Sequence, residues 1–509
     1  MDMDFRLPAL QKLQGEPIYL QLYRRFRDAI AEGKLRPGDR VPSVRSLASE
    51  LNLARGTVET AYQMLGSEGY LLARGPAGTV VSPRLADRIG RGAPPVRPCS
   101  PPAPRTTATE PPPFQLGLPA LDMFPRKTWA RLAGRHARSL DVAAIAYPDP
   151  CGHEALRHAI ASYLGISRGI ACTPEQVFVT AGYRCALDLV CRAVLQPGDT
   201  GWFEDPGYRF ARQFLEQAGM RLSPVAVDDD GLDVEAGLRQ AGAARFALVT
   251  PSHQSPLGVS LSLPRRLALL AWASAGHGWI VEDDYDSEFR YHGRPLPALK
   301  SLDRAGRVLY TGTFSKVLFP GLRLAYLVVP ESQIARFRET ASVLHGHGAI
   351  LHQATVADFM AQGHFARHLK TMRSLYAERR GYLLDALTQV FGDALYVPPR
   401  RGGIHLLAHP RTGCSDRTLA TLANAEGLAV EALSAWGRLD TSPEGLLLGF
   451  TNLATAGQAL GLCRRLEKAW EALAGSARGI MTPGRRPPPV GCGPPGVQQD
   501  ISIKIVYSK

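Results

Sequence analysis

Apolar residues near the start of the chain recur at helical spacing. Between residues 17 and 32 they stand at every fourth position, at Ile18, Leu22, Phe26 and Ile30. This period predicts a helix with one buried face. Ser43 is placed to cap a second helix, and a short turn at 52–54 leads to a third. Two short helices joined by so tight a turn are typical of a helix-turn-helix, although a small helical cap on an enzyme fits the same spacing.

Two strand-like runs follow the third predicted helix. Residues 70–74 and 79–81 flank the turn Gly75-Pro76-Ala77-Gly78, which predicts a two-stranded wing. The third helix of a winged helix enters the DNA major groove, where its first residues reach base edges. Residues 1–83 are therefore a candidate DNA-binding domain. The residues expected to contact DNA are Ser43, Arg45, Arg55, Thr57 and Gly78.

A shift in composition separates this domain from the rest of the chain. Nine prolines lie between Pro94 and Pro113 and apolar residues are few, so residues 84–113 are predicted to form an extended linker. A second low-complexity stretch, 474–509, contains Pro487-Pro488-Pro489 and is predicted to be a disordered tail. These boundaries leave residues 114–473 for a second domain.

The second domain alternates strand-like runs with helical patterns. Buried strands are expected at Val177–Thr180, Gly201–Glu204, Phe246–Val249, Trp279–Glu282 and Val308–Tyr310. Alternation of this kind predicts an α/β fold with a mostly parallel central sheet. Ligands of such sheets bind beyond the carboxyl ends of the strands, and the polar residues described below follow these strands.

Composition and charge change this picture little. The 509 residues exceed the size at which a single core divides into domains. The formal charge of +13 permits nucleic-acid binding, but residues 1–84 hold 12 basic against 9 acidic side chains, so charge alone does not identify the partner. The eight cysteines form no C-x-x-C pair, and His364 and His368 lack a third ligand, so no metal is assigned. No membrane span or signal peptide is recognised, which predicts a cytoplasmic protein.

Lys316 has the most informative surroundings of any single residue. It follows an apolar run and the segment Thr311-Gly312-Thr313-Phe314-Ser315, and Arg323 lies seven positions later. A lysine among apolar neighbours loses solvation, which lowers its pKa and frees its amine to form a Schiff base with an aldehyde cofactor. Arg323 and Thr313 are suited to a phosphate on that cofactor. The alternative is an ordinary solvated lysine in a loop.

The G-T-F-S-K-x-x-x-P-G-L-R-L run around Lys316 resembles the pyridoxal phosphate lysine motif of fold-type I aminotransferases, in the form typical of the MocR/GabR group of transcriptional regulators. The motifs P-S-V-R-S-L-A, R-G-T-V-E-T-A-Y and G-T-V-V within 17–82 resemble the GntR-type winged helix, apart from Ala54 and Gly56, where polar residues are usual. The resemblance implies a multidomain protein in which a winged helix-turn-helix is fused to an α/β, class I/II aminotransferase-like domain. It also implies pyridoxal 5'-phosphate as cofactor and a smaller C-terminal α+β subdomain.

The same resemblance implies roles for the residues of the cofactor site. The phosphate cup would be formed by Gly182, Tyr183 and Arg184, the last in place of a usual glutamine. Around the pyridine ring the implied contacts are Tyr208 on its face, Asp283 at its nitrogen and Tyr285 at its hydroxyl. A carboxylate at the ring nitrogen keeps that nitrogen protonated, which makes the ring an electron sink.

Two further positions bear on the ring and on the partner subunit. Ser255 stands where enzymes of the fold carry asparagine, which implies a weaker contact with the ring hydroxyl. Tyr147 aligns with a tyrosine that reaches the phosphate of the partner subunit in this fold. The resemblance therefore implies a homodimer with shared sites.

The position that would bind a substrate carboxylate departs from the family pattern. Aminotransferases bind this group with an arginine near the C-terminus, and here Leu447 takes that place. Arg209, Arg212 and Arg400 are candidates to hold a carboxylate from another direction. The pattern favours a regulator that binds double-stranded operator DNA and senses an amine-bearing molecule or pyridoxal phosphate itself. An active aminotransferase with an accessory N-terminal domain is the alternative.

Overall fold

The computed structural model describes residues 17–85, 110–140, 142–293, 296–344, 349–411, 415–439 and 443–479. The chain divides into two compact units, Met1–Thr107 and Ala108–Lys509. Most of the predicted linker at 84–113 lies outside the described residues, and so does the predicted tail beyond residue 479. The domain boundaries that the sequence indicates therefore stay predictions.

Within residues 17–85 the first unit forms three α-helices and three short strands. They are α1 (Ile18–Ala31), β1 (Arg40–Val41), α2 (Val44–Glu50), α3 (Arg55–Ser67), β2 (Leu71–Ala73) and β3 (Thr79–Val81). The apolar stripe of α1 is the core of this unit, because Leu22, Phe26 and Ile30 are buried in one cluster with Val58 of α3. Phe26 also meets the ring of Tyr62 edge to face, with ring centroids 5.5 Å apart.

The wing contains a strand that the sequence pattern did not reveal. β1 pairs with β3 in antiparallel register, with Arg40 opposite Val80, and β3 pairs with β2, so the order is β1-β3-β2. A two-residue strand is too short to show the alternation on which strand prediction depends. The predicted two-stranded wing is therefore a three-stranded sheet.

The second unit is built on a large mixed sheet. Its strands are β4 (Val177–Thr180), β5 (Thr200–Asp205), β6 (Arg221–Asp228), β7 (Gly231–Leu232), β8 (Phe246–Val249), β9 (Trp279–Asp284), β10 (Val308–Thr313) and β11 (Ala325–Val328). Their order is β4-β11-β10-β9-β8-β5-β6-β7. The run from β10 to β6 is parallel, whereas β11 lies antiparallel between β4 and β10, and β7 pairs antiparallel with β6.

A smaller antiparallel sheet and a set of helices complete this unit. The strands are β12 (Leu395–Tyr396), β13 (His405–Pro410), β14 (Glu431–Ala432) and β15 (Leu446–Gly449), in the order β12-β13-β15-β14. The helices are α4 (Arg126–Arg138), α5 (Val142–Ile145), α6 (Glu154–Arg168), α7 (Tyr183–Val194), α8 (Arg209–Gln217), α9 (Val234–Ala241), α10 (Leu263–Ala275), α11 (Ile334–Val343), α12 (Ile350–Ala361), α13 (His364–Phe391), α14 (Asp416–Ala425) and α15 (Ala456–Gly479). The last helix continues to Gly479, whereas the predicted domain ended at residue 473. Among the helices of the described residues, none is long and apolar enough to cross a membrane.

Burial explains why the central strands show continuous apolar runs in the sequence. β4, β8 and β9 are buried along their whole length. Side chains that alternate between the two faces of such a strand are all covered, so the polar alternation of a one-sided sheet is missing. Polar side chains concentrate instead at the strand ends, where the loops lead into the helices. This arrangement places the predicted site residues at one edge of the sheet.

Candidate functional site

A cavity of about 460 Å³ in the second unit is lined by eight of the predicted cofactor residues. They are Tyr183, Arg184, Tyr208, Asp283, Tyr285, Thr313, Lys316 and Arg323. They come from the ends of four parts of the chain that are far apart in sequence. The volume lies in the range of about 300–1,000 Å³ that is usual for small-molecule and cofactor sites.

Lys316 projects its amine into this cavity against a backbone turn. Its Nζ donates a hydrogen bond of 2.8 Å to the carbonyl of Gly117. Gly117 has a left-handed backbone, with φ of +73°, and a Cβ built on it would stand 2.5 Å from that Nζ. Burial lowers the pKa of Lys316, while Asp286 and Asp283 act in the opposite direction. A lysine with a lowered pKa is a better nucleophile towards an aldehyde.

Asp283 is the acidic residue that faces the same cavity. Its pKa is raised to about 7, chiefly by burial and also by the nearby Asp284 and Glu204, while Tyr183 and Lys316 act in the opposite direction. A carboxyl group with a pKa near neutrality can share a proton with a ring nitrogen placed beside it. This chemistry fits the predicted contact of Asp283 with a pyridine ring.

The two acidic residues that flank Asp283 in the chain, Glu282 and Asp284, have hydrogen-bond and ion-pair partners within the protein. Glu282 accepts hydrogen bonds of 2.8 Å from the backbone N–H groups of Leu299 and Lys300. Asp284 pairs with Arg168 at 2.7 Å and accepts a hydrogen bond of 2.6 Å from the hydroxyl of Tyr310. The cluster is tolerated because each carboxylate has its own donors, and Asp283 alone of these three lines the cavity.

The predicted phosphate cup lies at the start of α7. Gly182 is the N-cap of this helix and has φ of +103°. The guanidinium of Arg323 lies against it, since a Cβ at residue 182 would stand 2.7 Å from one of the Arg323 nitrogens. Free N–H groups of a helix start together with a guanidinium are the usual donors for a phosphate. The residues present therefore fit the phosphate of the implied cofactor.

Aromatic and hydroxyl side chains form the remaining walls. The ring of Tyr208 lies 6.2 Å from that of Tyr183 and 6.0 Å from that of Trp436, measured between centroids. The hydroxyl of Tyr285 lies 3.0 Å from Nδ1 of His253, and Ser255 lines the same cavity. A flat ring with a hydroxyl substituent finds both an aromatic face and polar partners here.

Several residues that the sequence proposed as contacts of the cofactor or of a substrate carboxylate lie outside the cavity. Tyr147 is 98% exposed and does not line it. Arg209 pairs with Glu431 at 3.3 Å. Arg212 donates to the carbonyl of Trp436 at 2.9 Å, and Arg400 donates to the carbonyl of Leu257 at 3.0 Å.

Leu447 is fully buried in an apolar cluster with Leu407, Leu433 and Trp436. Within the described residues, the arginines that line the cavity are Arg184 and Arg323. The three arginines proposed from the sequence to hold a substrate carboxylate are therefore not cavity residues in this structure.

The structure also adds wall residues that the sequence did not indicate. Gly117 precedes the first helix of the unit, and Ile404, His405, Glu431 and Trp436 belong to the region of the small sheet. All of them lie far from the lysine motif in the chain, and none of them stands in a recognisable motif. Only tertiary packing brings them to the site.

The candidate DNA contacts lie at the starts of two helices and in the wing of the first unit. Ser43 caps α2, because its hydroxyl accepts a hydrogen bond of 3.1 Å from the N–H of Ser46. Arg45 and Arg55 are exposed in the first turns of α2 and α3, and Thr57 is partly exposed. These positions satisfy the geometric requirement for side chains that reach into a groove.

Gly78 lies at the end of the wing turn with φ of +91°. A Cβ there would stand 2.9 Å from Nε of Arg40, so the exposed Arg40 guanidinium covers this glycine. Arg40 is therefore a further basic side chain at the wing that the sequence did not single out. Arg40 reaches the wing because β1 pairs with β3, and the sequence pattern did not show this pairing.

Two family descriptions match this chain. Residues 129–445 match the family described as "Aminotransferase class I and II". Residues 18–81 match the family described as "Bacterial regulatory proteins, gntR family". The protein thus joins a GntR-type winged helix, a DNA-binding module, to a class I and II aminotransferase domain, and the predicted fold class is confirmed.

Relatives share this whole arrangement. The chain is 38% identical over 449 residues to the "Probable rhizopine catabolism regulatory protein MocR" of Rhizobium meliloti, which covers 86% of this chain and 90% of that protein. It is 35% identical over 448 residues to the "HTH-type pyridoxine biosynthesis transcriptional regulator PdxR" of Corynebacterium glutamicum, with 87% and 94% covered. The chain belongs to the MocR group of transcriptional regulators, as its motifs predict.

A solved structure resembles the second unit. LysN, an α-aminoadipate aminotransferase from Thermus thermophilus, is 29% identical to this chain with a TM-score of 0.65, and the match covers 71% of this chain and 92% of LysN. That structure is complexed with N-(5'-phosphopyridoxyl)-L-leucine. The similarity supports the aminotransferase fold of the second unit at the level of the whole domain.

Proposed function

We propose that this protein is a cytoplasmic transcription regulator that binds operator DNA through its winged helix and senses a small molecule through its aminotransferase-like domain. The observation that carries the proposal is the convergence of Lys316, Asp283, Gly182 and Arg323 on one cavity. The same chain carries a GntR-type winged helix. A chain that has both parts can connect the state of the cavity to binding of DNA.

The cofactor of this domain is pyridoxal phosphate, which the aminotransferase family and the phosphopyridoxyl-bound LysN imply. When bound, it supplies an aldehyde that can join covalently to the amine of Lys316 or to the amine of a ligand. We propose that Gly182 and Arg323 hold its phosphate and that Asp283 holds a proton at its ring nitrogen. Tyr285 would contact its ring hydroxyl and Tyr208 its face.

The effector is proposed to be an amine that displaces Lys316. A displaced Lys316 has a ready partner, because its Nζ reaches the carbonyl of Gly117 at 2.8 Å. The lowered pKa of Lys316 lets part of the amine stay neutral, which keeps the exchange reversible. Release of this lysine changes the charge and the contacts at Gly117, a local event of the kind that switches use.

The cavity is poorly equipped to hold the carboxylate of an α-amino acid. Among the described wall residues its arginines are Arg184 and Arg323, and Arg323 is assigned to the phosphate. Transamination requires the substrate to be fixed so that its α C–H bond stands perpendicular to the ring. We therefore propose sensing without full turnover. An active aminotransferase is the second candidate, and the intact pair of Lys316 and Asp283 favours it.

A homodimer with shared sites is part of the proposal. Tyr147 is 98% exposed, and its apolar neighbours Val142 and Ile145 are 85% and 73% exposed. Large apolar side chains that stand together in solvent are a usual mark of an interaction surface. We propose that a second copy of the chain covers this segment and receives Tyr147 at its phosphate cup.

Lys316→Ala tests the assignment of the cofactor lysine. We expect the purified protein to be yellow, and borohydride to trap a cofactor adduct that Lys316→Ala loses. Lys370→Ala is the matched control, because Lys370 is an exposed lysine that does not line the cavity. An adduct that persists in Lys316→Ala would overturn the assignment.

Spectral titration with a panel of amines tests the sensing proposal. An amine effector should shift the visible band and alter operator affinity without releasing pyridoxamine phosphate. Sustained turnover with any α-amino acid and keto acid would instead establish the aminotransferase candidate. A change in operator affinity with pyridoxal phosphate alone would identify the cofactor itself as the effector.

A further inference from the structure

A second cavity, of about 680 Å³, lies beside the cofactor cavity in the same unit. His253 and Asp286 are in its wall, whereas Tyr285 is in the wall of the cofactor cavity. Nδ1 of His253 lies 3.0 Å from the hydroxyl of Tyr285. The two cavities are therefore separated by one layer of side chains.

The wall of this second cavity carries an excess of positive charge. Among the described residues it contains five arginines, Arg168, Arg266, Arg290, Arg400 and Arg401, and two aspartates, Asp229 and Asp286. A buried or half-buried cluster of guanidinium groups is unfavourable unless each group has an acceptor. The partners of these arginines decide whether the cluster is structural or is built for a ligand.

Three of the arginines have acceptors within the protein. Arg266 donates to three backbone carbonyls, at 2.8 to 2.9 Å. Arg168 pairs with Asp284 at 2.7 Å. Arg400 donates to the carbonyl of Leu257 at 3.0 Å and approaches Asp229 at 3.7 Å. These side chains tie loops together and need no ligand.

The Nε atoms of Arg168 and Arg290 are both buried without an acceptor among the described residues, but Arg168 is held through its other two nitrogens. The hydroxyl of Ser287, in the same wall as Arg290, is also buried without a partner. Burial lowers the pKa of Arg290, and the charge of Arg401 lowers it further. The guanidinium groups of Arg290 and Arg401 thus lie close enough to affect each other, and the same wall holds an unpartnered hydroxyl.

We propose that this second cavity binds a small oxyanion, the carboxylate or phosphate group of a metabolite, between Arg290 and Arg401, with Ser287 as a further donor. Planar guanidinium groups match the oxygens of either anion with paired hydrogen bonds. The cavity volume lies within the usual range of about 300–1,000 Å³ for small-molecule sites. Binding would supply the acceptors that Arg290 and Ser287 lack.

The position of His253 connects this site to the cofactor cavity. Its imidazole is confined by Gly258 and Gly403, which have φ of +71° and +96°, and a Cβ on them would stand 3.0 Å and 2.3 Å from the ring. Nδ1 of His253 also lies 3.0 Å from a carboxylate oxygen of Asp286. An anion that binds near Asp286 would change the electrostatic potential at the pair of His253 and Asp286. Because His253 also contacts the hydroxyl of Tyr285, the change would reach the cofactor cavity. The site is independent of whether the effector of the cofactor cavity is an amine.

The test uses the holoprotein with its cofactor reduced onto Lys316 by borohydride, so that the phosphate cup is already filled. Calorimetric titrations with inorganic phosphate and, separately, malonate are made at constant ionic strength. We expect saturable binding of at least one anion. Arg290→Gln and Arg401→Gln should each weaken it at least tenfold, whereas Arg304→Gln, at an exposed arginine outside the wall, should bind as the unaltered protein does.

Each other result counts against the site. No saturable binding of either anion would overturn the proposal, and so would equal weakening in Arg304→Gln, which indicates screening by general charge. Arg401 is exposed, so its replacement leaves the core intact, and circular dichroism checks the fold of each variant.

In unreduced holoprotein the bound anion should also shift the cofactor absorbance. His253→Phe should abolish that shift while it retains anion binding, and a persistent shift would refute the route through His253.

Discussion

At the residue scale, the contact of Lys316 with Gly117 limits what residue 117 can be. The glycine has φ of +73°, and a Cβ on it would stand 2.5 Å from Nζ of Lys316. A substitution there combines backbone strain with displacement of the lysine amine. The two effects can be separated by comparison with a glycine that has the same backbone and empty surroundings.

Gly117→Ala should reduce cofactor binding, because the added methyl group displaces the Lys316 amine from its position. Its backbone strain should also cost about 1–3 kcal/mol of stability. Gly363→Ala is the matched control, since Gly363 has φ of +71° and nothing within 4 Å of a built Cβ. Absorbance of the bound cofactor and thermal unfolding measure the two effects. Equal loss of cofactor in both variants would contradict a specific role for the contact with Lys316.

Asp283 makes the stability of the apoprotein depend on pH. Burial raises the pKa of its folded form to about 7. The unfolded value is about 3.9. Between these values the folded chain binds a proton that the unfolded chain does not, so this contribution to stability is complete below pH 4 and is lost as pH rises towards 7.

Asp283→Asn should therefore flatten the fall in apoprotein Tm between pH 5 and pH 8. Glu204 retains its own contribution, since burial raises its pKa to about 7 as well. Asp385→Asn, at an exposed aspartate of α13, should leave the profile unchanged. Thermal unfolding of the three apoproteins across this range measures the effect. A slope unaltered by Asp283→Asn would mean that Asp283 is ionised in the folded apoprotein.

At the scale of elements, α2 and α3 present their first turns to solvent, while α3 packs on α1 and α2 packs on α3. Ser43 fixes the start of α2 through its cap, and Arg45 follows two residues later. Arg55 is the first residue of α3. The same packing that buries Val58 thus leaves both arginines exposed at helix starts.

Arg45→Ala and Arg55→Ala should each weaken operator binding. A bidentate contact with a base is worth about 1–3 kcal/mol of discrimination, and its loss should relax sequence preference at one position. A residue that contacts only phosphate would instead weaken all DNA alike and reduce the dependence on salt. Fluorescence anisotropy with specific and random DNA at several salt concentrations distinguishes the two cases.

Lys34→Ala is the control for this experiment. Lys34 is an exposed basic residue that pairs with Glu32 at 2.5 Å and lies outside α2, α3 and the wing. Its replacement should leave operator affinity nearly unchanged. Unaltered affinity in both arginine variants would exclude the helix starts as the reading surface.

At the scale of the whole molecule, the exposed apolar segment around Tyr147 should control assembly. Val142→Asp places a charge in the proposed subunit contact, so it should shift the protein towards monomers and weaken cofactor binding. Leu267→Asp is the control, because Leu267 is a 53% exposed leucine on α10. Sedimentation velocity reports the oligomeric state. A monomeric unaltered protein, or a dimer that Val142→Asp does not weaken, would refute the proposed interface.

The sequence alone determined the parts of this protein that depend on local pattern. The period of α1, the cap at Ser43, and the apolar runs of β4, β5, β8, β9 and β10 are readable from neighbouring residues. So is the lysine motif, because Lys316 and Arg323 stand seven positions apart on one connection. These features can be predicted from the sequence because the periods of helices and strands relate residues that are only two to four positions apart.

Tertiary structure alone decided the contacts between distant segments. It brought Gly117 to Lys316, added β1 to the wing, and placed Trp436 in the cofactor cavity. It also set the pKa of Asp283 near neutrality, through burial. These outcomes depend on which surfaces pack together and exclude water, a property of the folded chain that no short stretch of sequence contains.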